Sequence, residues 1–258
     1  MKFRARVGSA ILATGLLFGA MGANAKAEFD PQQKQAIEQI VHQYLVKNPE
    51  VLMEVSKALQ LKQREDMMKQ AESAIGTNGP ALFDSSSPMV GNKLGNVTMV
   101  EFFDYQCIHC KQMAPVVSEL VKKDGGLRIV YKEFPIFGKS SEFAAQAALA
   151  SQSQGKYLAF HDALMAAKER LSPKLVMKIA ASVGIDTSKL KTDMKSAKVT
   201  KELKDTRQLA ESLRLMGTPA FIIAKTPKGK YKQGAKSFFV PGASSEDALQ
   251  SLIKQANG

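Results

Sequence analysis

The chain has 258 residues, 45% of them hydrophobic, with 36 lysines and arginines against 24 acids and a formal net charge of +12. Its basic residues are scattered along helix-like stretches, not massed in one patch, which argues against a nucleic-acid partner and for a solvated surface. A zinc site on the two cysteines would need two further ligands, and only His42, His109 and His161 are present, which makes a metal site the weaker reading.

Lys2, Arg4 and Arg6 precede an apolar run from about Ile11 to Met21 and then Ala23-Asn24-Ala25. A basic start, a short apolar core and a small-x-small site read as a signal peptide over residues 1–25, cut after Ala25. The run is short for a membrane span of roughly 20 residues, and no later stretch is long and apolar enough to be one. Export places the cysteines in an oxidising compartment, where a lone pair is used as a disulfide.

From Lys26 the chain turns mildly acidic and helical. Asp30-Pro31-Gln32-Gln33 is a helix start, with an N-cap acid, proline in the first turn and a capping-box glutamine. Ile37, Ile40, Val41, Tyr44 and Leu45 recur at helical spacing. Asn48-Pro49 closes that helix and opens a second, expected to run to about Ile75 and to stop at Gly76 and Gly79-Pro80. Two helices with thin apolar stripes bury little by themselves. They dock on the main domain or pair with a second copy, and the long charged helix favours a homodimerisation region over residues 26–85, with Ser85 to Pro88 as linker.

After Asn96 the pattern is α/β. Val97 to Phe103 and Leu127 to Lys132 read as buried strands around a helix from Cys107 to about Lys122. Ser140 to Met216 is nearly all helical. Gly217-Thr218-Pro219 breaks it, Ala220 to Ala224 and Ser237 to Val240 are strands, and Ser244 or Ser245 caps a last helix. The order is β-α-β, a block of helices, then β-β-α.

The only cysteines form Cys107-Ile108-His109-Cys110, where a strand gives way to a helix. A thiolate attacks disulfides, so a redox cysteine needs help to lose its proton. The helix N-terminus offers unpaired N–H groups to Cys107, and His109 offers positive charge or a hydrogen bond. Cys110, one turn later, would be the shielded partner. So small a ring adds only roughly 2 kcal/mol as a staple by the loop-entropy relation, which favours a catalytic over a structural disulfide. A protease-type nucleophile would want a distant histidine, and His161 lies in an amphipathic helix better suited to packing. Glu101, within an apolar strand, either relays a proton to the thiols from a buried position or points to solvent from an edge. Lys132 is a candidate partner for it.

The run Glu101-Phe102-Phe103-Asp104-Tyr105-Gln106-Cys107-Ile108-His109-Cys110 resembles the active-site stretch of the DsbA-like thioredoxin-fold family. Gly217-Thr218-Pro219 resembles that family's cis-proline loop, and the likeness runs from about Leu94 to Ala256. It implies a thioredoxin fold with a helical insertion near 140–216, making residues 86–258 the catalytic domain. It further implies Cys107 as the exposed nucleophile, Cys110 as the resolving cysteine, His109 as thiolate stabiliser, Glu101 as buried acid, and Thr218 and cis Pro219 as the substrate-binding loop. Two departures bear on specificity. Ile108 stands where the strongest oxidases carry proline, and Thr218 where they carry valine, as in dimeric isomerases of the DsbC and DsbG type.

The expected function is therefore periplasmic thiol–disulfide exchange on exported proteins, forming disulfides and isomerising them. No cofactor beyond the Cys107–Cys110 disulfide and no metal is expected. Membrane partners would be a quinone-linked oxidase and a DsbD-type reductase. The alternatives are a plain oxidase and a non-catalytic periplasmic chaperone.

Overall fold

A computed structural model describes residues 29–84 and 86–258, so the expected signal peptide lies outside the described residues. The chain divides into two compact units, which meet in the chain between Leu59 and Gln60.

The first unit begins with helix α1, Pro31–Lys47. Asp30 accepts from Gln33 N at 2.9 Å and Gln33 Oε1 accepts from Asp30 N at 3.0 Å, a reciprocal cap that satisfies two orphan donors. At the other end Asn48 Nδ2 donates to Tyr44 O at 2.8 Å. No residue of α1 is buried. Helix α2, Glu50–Leu82, starts in this unit, and its early apolar residues are open too: Met53 is 73% exposed and Leu59 54%.

The second unit starts inside α2. Ala71, Ile75, Gly79 and Leu82 are buried there, so the helix earns its place from tertiary contact instead of ending at Ile75. The glycines and Pro80 expected to stop it do not. Gly79 is needed, because a Cβ there would lie 1.9 Å from the ring of Tyr231, which stacks on Phe83 at 4.8 Å. Pro80 falls in the last turn, where Phe83 N still donates to Gly79 O at 3.0 Å.

Among the described residues five strands form one sheet: β1 Met89–Gly91, β2 Val97–Phe103, β3 Leu127–Glu133, β4 Ala220–Lys225 and β5 Ser237–Pro241, in the order β1-β3-β2-β4-β5. Only β2 and β3 are parallel, joined by helix α3, Ile108–Lys123. Strand β1 is too short to announce itself in the sequence. Helices α4 (Lys139–Ala150), α5 (Tyr157–Ala166), α6 (Pro173–Ser182), α7 (Thr187–Asp193) and α8 (Ala197–Ser212) fill the gap between β3 and β4, and α9 (Glu246–Asn257) follows β5. Side-chain alternation splits the interior into two cores. Met99, Phe103, Ile129, Tyr131, Phe221 and Ile223 face the core that holds both cysteines. Val100, Phe102, Val130 and Ile222 face the core that holds Ile75 and Leu82 of α2.

Candidate active site

All seven residues of β2, the central strand, are buried, and the chain turns at its C-terminal end. Asp104 makes that turn. Its carboxylate, 1% exposed, accepts from Gln106 N at 2.7 Å, Ser141 Oγ at 2.7 Å, Ile136 N at 2.8 Å and Phe137 N at 3.0 Å. Its carbonyl accepts from Cys107 N at 3.1 Å. One acid thus ties the cysteine loop to the loop after β3 and to the start of α4, a role the sequence reading missed. A buried acid directly after an apolar strand is the signal for it.

Cys107 is the N-cap of α3, with extended backbone, and its sulfur accepts from Cys110 N at 3.4 Å. The free thiol donates to Thr218 O at 3.2 Å. The Thr218–Pro219 peptide bond is cis. The chain therefore brings together, from positions 111 residues apart, a thiol, a helix N-terminus and a backbone carbonyl. Cys107 was expected to be exposed; it is 3% exposed, because the Thr218 loop covers it, and its neighbour Ile108 is the open residue at 62%. Cys110 is fully buried. Burial pushes its thiol well up, against weaker lowering by the Asp104 backbone and the Thr218 side chain, so Cys110 holds its proton.

His109 stands on the exposed side, its Nδ1 3.3 Å from Gln112 Oε1, and makes no hydrogen bond to Cys107. Glu101 does not point to solvent. It is 2% exposed, its Oε1 has no partner, and burial raises its pKa to about 8. Lys132 is not its counter-ion. On β3 the residue opposite Glu101 is Tyr131, and alternation sends Lys132 to the other face, where Nζ donates to Ala81 O at 2.9 Å and Ser87 Oγ at 2.8 Å.

A second buried acid lies on the same face as Glu101. Glu133 Oε1 accepts from Tyr105 Oη and Tyr157 Oη, both at 2.8 Å, while its Oε2 has no partner. Burial holds its carboxyl well above the usual range, opposed by the two tyrosine hydrogen bonds. His161 Nδ1 is 3.1 Å from Tyr105 Oη, and burial lowers that imidazole to about 3, so His161 is a neutral core group and no base for Cys107. Nothing in the spacing of Tyr105, Glu133, Tyr157 and His161 marks them as a group; only the fold assembles them.

Comparison with known proteins gives the same outline. Residues 98–254 match the family described as DSBA-like thioredoxin domain, and residues 33–65 match the N-terminal domain of the copper resistance protein ScsC. A thiol:disulfide interchange protein DsbA from Burkholderia cepacia is 28% identical over 196 residues, 73% of this chain and 89% of that one. The crystal structure of BcfH from Salmonella enterica Typhimurium superposes with a TM-score of 0.74 at 30% identity, covering 88% of this chain and 97% of that one. A Na(+)/H(+) antiporter NhaA 3 from Salinispora tropica is 27% identical over 156 residues, and there the chain spans 24% of the relative's length.

Proposed function

The chain belongs to the family of DSBA-like thioredoxin domains, and on that premise we propose that it is an exported protein disulfide oxidoreductase and isomerase. The observation that carries the reading is Cys107 Sγ set between the Cys110 N–H and the Thr218 carbonyl, at the start of α3 and beside Pro219. The basic, apolar and small-residue N-terminal sequence supports export to the periplasm.

In oxidation, a substrate thiolate attacks Cys107 Sγ of the Cys107–Cys110 disulfide and that bond breaks. Cys110 leaves as a thiolate and takes a proton from Glu101, whose raised pKa keeps one available near neutrality. A second substrate thiolate then attacks the first substrate sulfur, which frees Cys107 and completes the substrate disulfide. In isomerisation, the Cys107 thiolate attacks a wrong substrate disulfide and is later expelled by another substrate thiolate. Thr218 and Pro219 hold the substrate backbone, and His109 acts from the exposed side on charge at the thiolate. A quinone-linked membrane oxidase and a DsbD-type reductase would reset the pair.

The open apolar residues of α1 and of α2 up to Leu59 fit self-association, a homodimer in its simplest form. Light scattering on the whole chain and on a form lacking residues 26–59 tests this: the mass per particle should fall to one chain on truncation. The catalytic reading is tested with Cys107→Ser and Cys110→Ser variants in refolding of a reduced and of a scrambled protein. Both activities should vanish in Cys107→Ser. Retention of both would leave a chaperone. Oxidation without isomerisation in the unaltered chain would leave a plain oxidase.

A further inference from the structure

Most lysines are spread along helices, but the connection from β4 to β5 is an exception. It carries Lys225, Lys228, Lys230, Lys232 and Lys236 within twelve residues, and no acid. Among the described residues none of the five is in an ion pair; the pairs lie elsewhere. Lys225 Nζ donates to Asn257 O at 2.6 Å, and Lys236 Nζ sits 5.3 Å from the Phe238 ring centre. Lys228, Lys230 and Lys232 are exposed. A block of like charge repels itself, so a folded loop that keeps one calls for a reason.

The loop is not a loose tail. Thr226 N donates to Asn96 O at 2.7 Å and Gly229 N to Gly95 O at 3.0 Å, which fastens it to the turn between β1 and β2. Gly229 has φ +72°, and a Cβ there would lie 2.2 Å from Lys93 O, so the two turns touch backbone to backbone. The partner turn is fixed in its own right. Asn92 Oδ1 accepts from Leu94 N at 3.0 Å, and Asn92 Nδ2 donates to Gly125 O at 2.9 Å. Beside exposed Lys93 it holds out Leu94, which is 69% exposed. The contact at Gly229 brings Lys228 and Lys230, which flank that glycine, next to Lys93 and Leu94. Asp124, an acid at the same end of the sheet, turns an oxygen onto Gly126 N at 2.8 Å.

We propose that these joined turns dock the second unit on bilayers that contain anionic phospholipid. Lysines meet the headgroups, and the leucine held out among them enters the boundary with the acyl chains. A soluble acidic partner would match the charge and leave the rigidly presented Leu94 without a role. The surface lies at the far end of the sheet from the thiol. Lys225 pairs with Val97 at the start of β2, and Cys107 follows the other end of that strand, about 20 Å away. Docking therefore keeps Cys107 off the lipid and free for exchange. The inference goes beyond the thiol-exchange reading and does not depend on it.

The test is co-sedimentation with vesicles, using the chain from Lys26 so that the apolar N-terminal run takes no part. One set of vesicles is phosphatidylcholine alone, and the other holds about 30% phosphatidylglycerol, both at about 0.1 M salt. The chain should partition onto the anionic vesicles roughly 10-fold more strongly or better. Lys228→Glu with Lys230→Glu should remove about 10-fold or more of that binding, and Leu94→Ala about 3-fold. The control reverses two exposed lysines of α6, Lys174→Glu with Lys178→Glu, for the same change in net charge, and should cost less than about 2-fold. Equal partition onto the two vesicles overturns the proposal, whatever the variants do. An equal loss in the α6 control would reduce the effect to net charge and overturn it as well. Binding of soluble poly-glutamate without binding of vesicles would make the patch a seat for an acidic protein, and would also overturn it. Disulfide turnover in solution should be unchanged in the Lys228→Glu, Lys230→Glu chain, which shows that it is folded. Failure to bind vesicles leaves the disulfide chemistry standing, and failed refolding activity leaves the lipid surface standing.

Discussion

The two faces of the paired strands β2 and β3 treat buried ionisable groups in opposite ways. On the face toward α2, Arg128 and Lys132 are buried cations, and each ends on a backbone carbonyl at or just past the end of α2: Arg128 Nη2 donates to Phe83 O at 3.3 Å and Lys132 Nζ to Ala81 O at 2.9 Å. Arg128 Nε also donates to Thr98 Oγ1 at 2.9 Å. These cations satisfy the orphan carbonyls at the end of α2 and complement its dipole. On the face toward the cysteines, Glu101 and Glu133 are buried acids, and each keeps one oxygen without a partner. Polar groups that serve only the fold are normally paired, so the unpaired ones call for a reason. The difference separates a side of the sheet built for stability from a side that bears a cost in stability near its chemistry.

Breaking the stable side should have the largest effect. Arg128→Ala removes the largest fully buried side chain, takes one of two partners from Thr98 Oγ1, which keeps Thr226, and takes the Arg128 donor from the Phe83 carbonyl. Urea unfolding of the full chain should show a loss of about 4 kcal/mol. A loss under about 1 kcal/mol would erase the contrast between the faces.

Glu101→Gln should act with the opposite sign. Between the ordinary 4.5 and the native value of about 8, the unfolded state has lost the proton and the native state keeps it. Stability therefore falls as pH rises through that window, by on the order of 3 kcal/mol at pH 7 relative to pH 4. The glutamine variant should lose this slope, gaining stability at pH 7 and little at pH 4, while Cys110 loses its proton store. Thermal unfolding at several pH values reads the first effect, and the pH profile of disulfide turnover reads the second.

Gly79→Ala sharpens the comparison at the α2 side. Alanine ordinarily strengthens a helix over glycine by about 1 kcal/mol. Here the new Cβ meets the Tyr231 ring at 1.9 Å, so the sign should invert to a loss of about 2 kcal/mol. Adding Tyr231→Ala should make Gly79→Ala favourable again, a double-mutant cycle with strong coupling. The smallest effect is expected from Tyr157→Phe, which leaves Glu133 with one tyrosine donor of two and should cost about 1 kcal/mol.

Much of this was legible before the structure. The strand–Cys107–helix junction, the Thr218–Pro219 loop, the Asp30 cap and the helical block all rest on local signals: a change of period, a capping residue, a proline. What failed was non-local. The persistence of α2 past Gly76 depends on Tyr231 filling the space above Gly79, and the expected boundary near Ser85 gives way to a compact unit that begins at Gln60. Lys132 reads as a partner for Glu101 by proximity in the alignment of strands, yet the two-residue period places it on the far side. The Glu133 cage draws on the turn after β2, on β3 and on α5, so no window of sequence contains it.

That cage has a spectroscopic consequence. The chain has no tryptophan and five tyrosines, so its near-ultraviolet emission is tyrosine emission alone. Tyr105 and Tyr157 are bonded to a carboxyl, Tyr131 lies against His161 at 4.5 Å between ring centres, and Tyr231 stacks on Phe83. Four of the five fluorophores thus report the second unit, while Tyr44, 56% exposed on α1, reports the first. The protein thus carries a label-free optical gauge of each unit: melting of the cage should brighten the signal, and the self-association proposed above should change only the Tyr44 fraction.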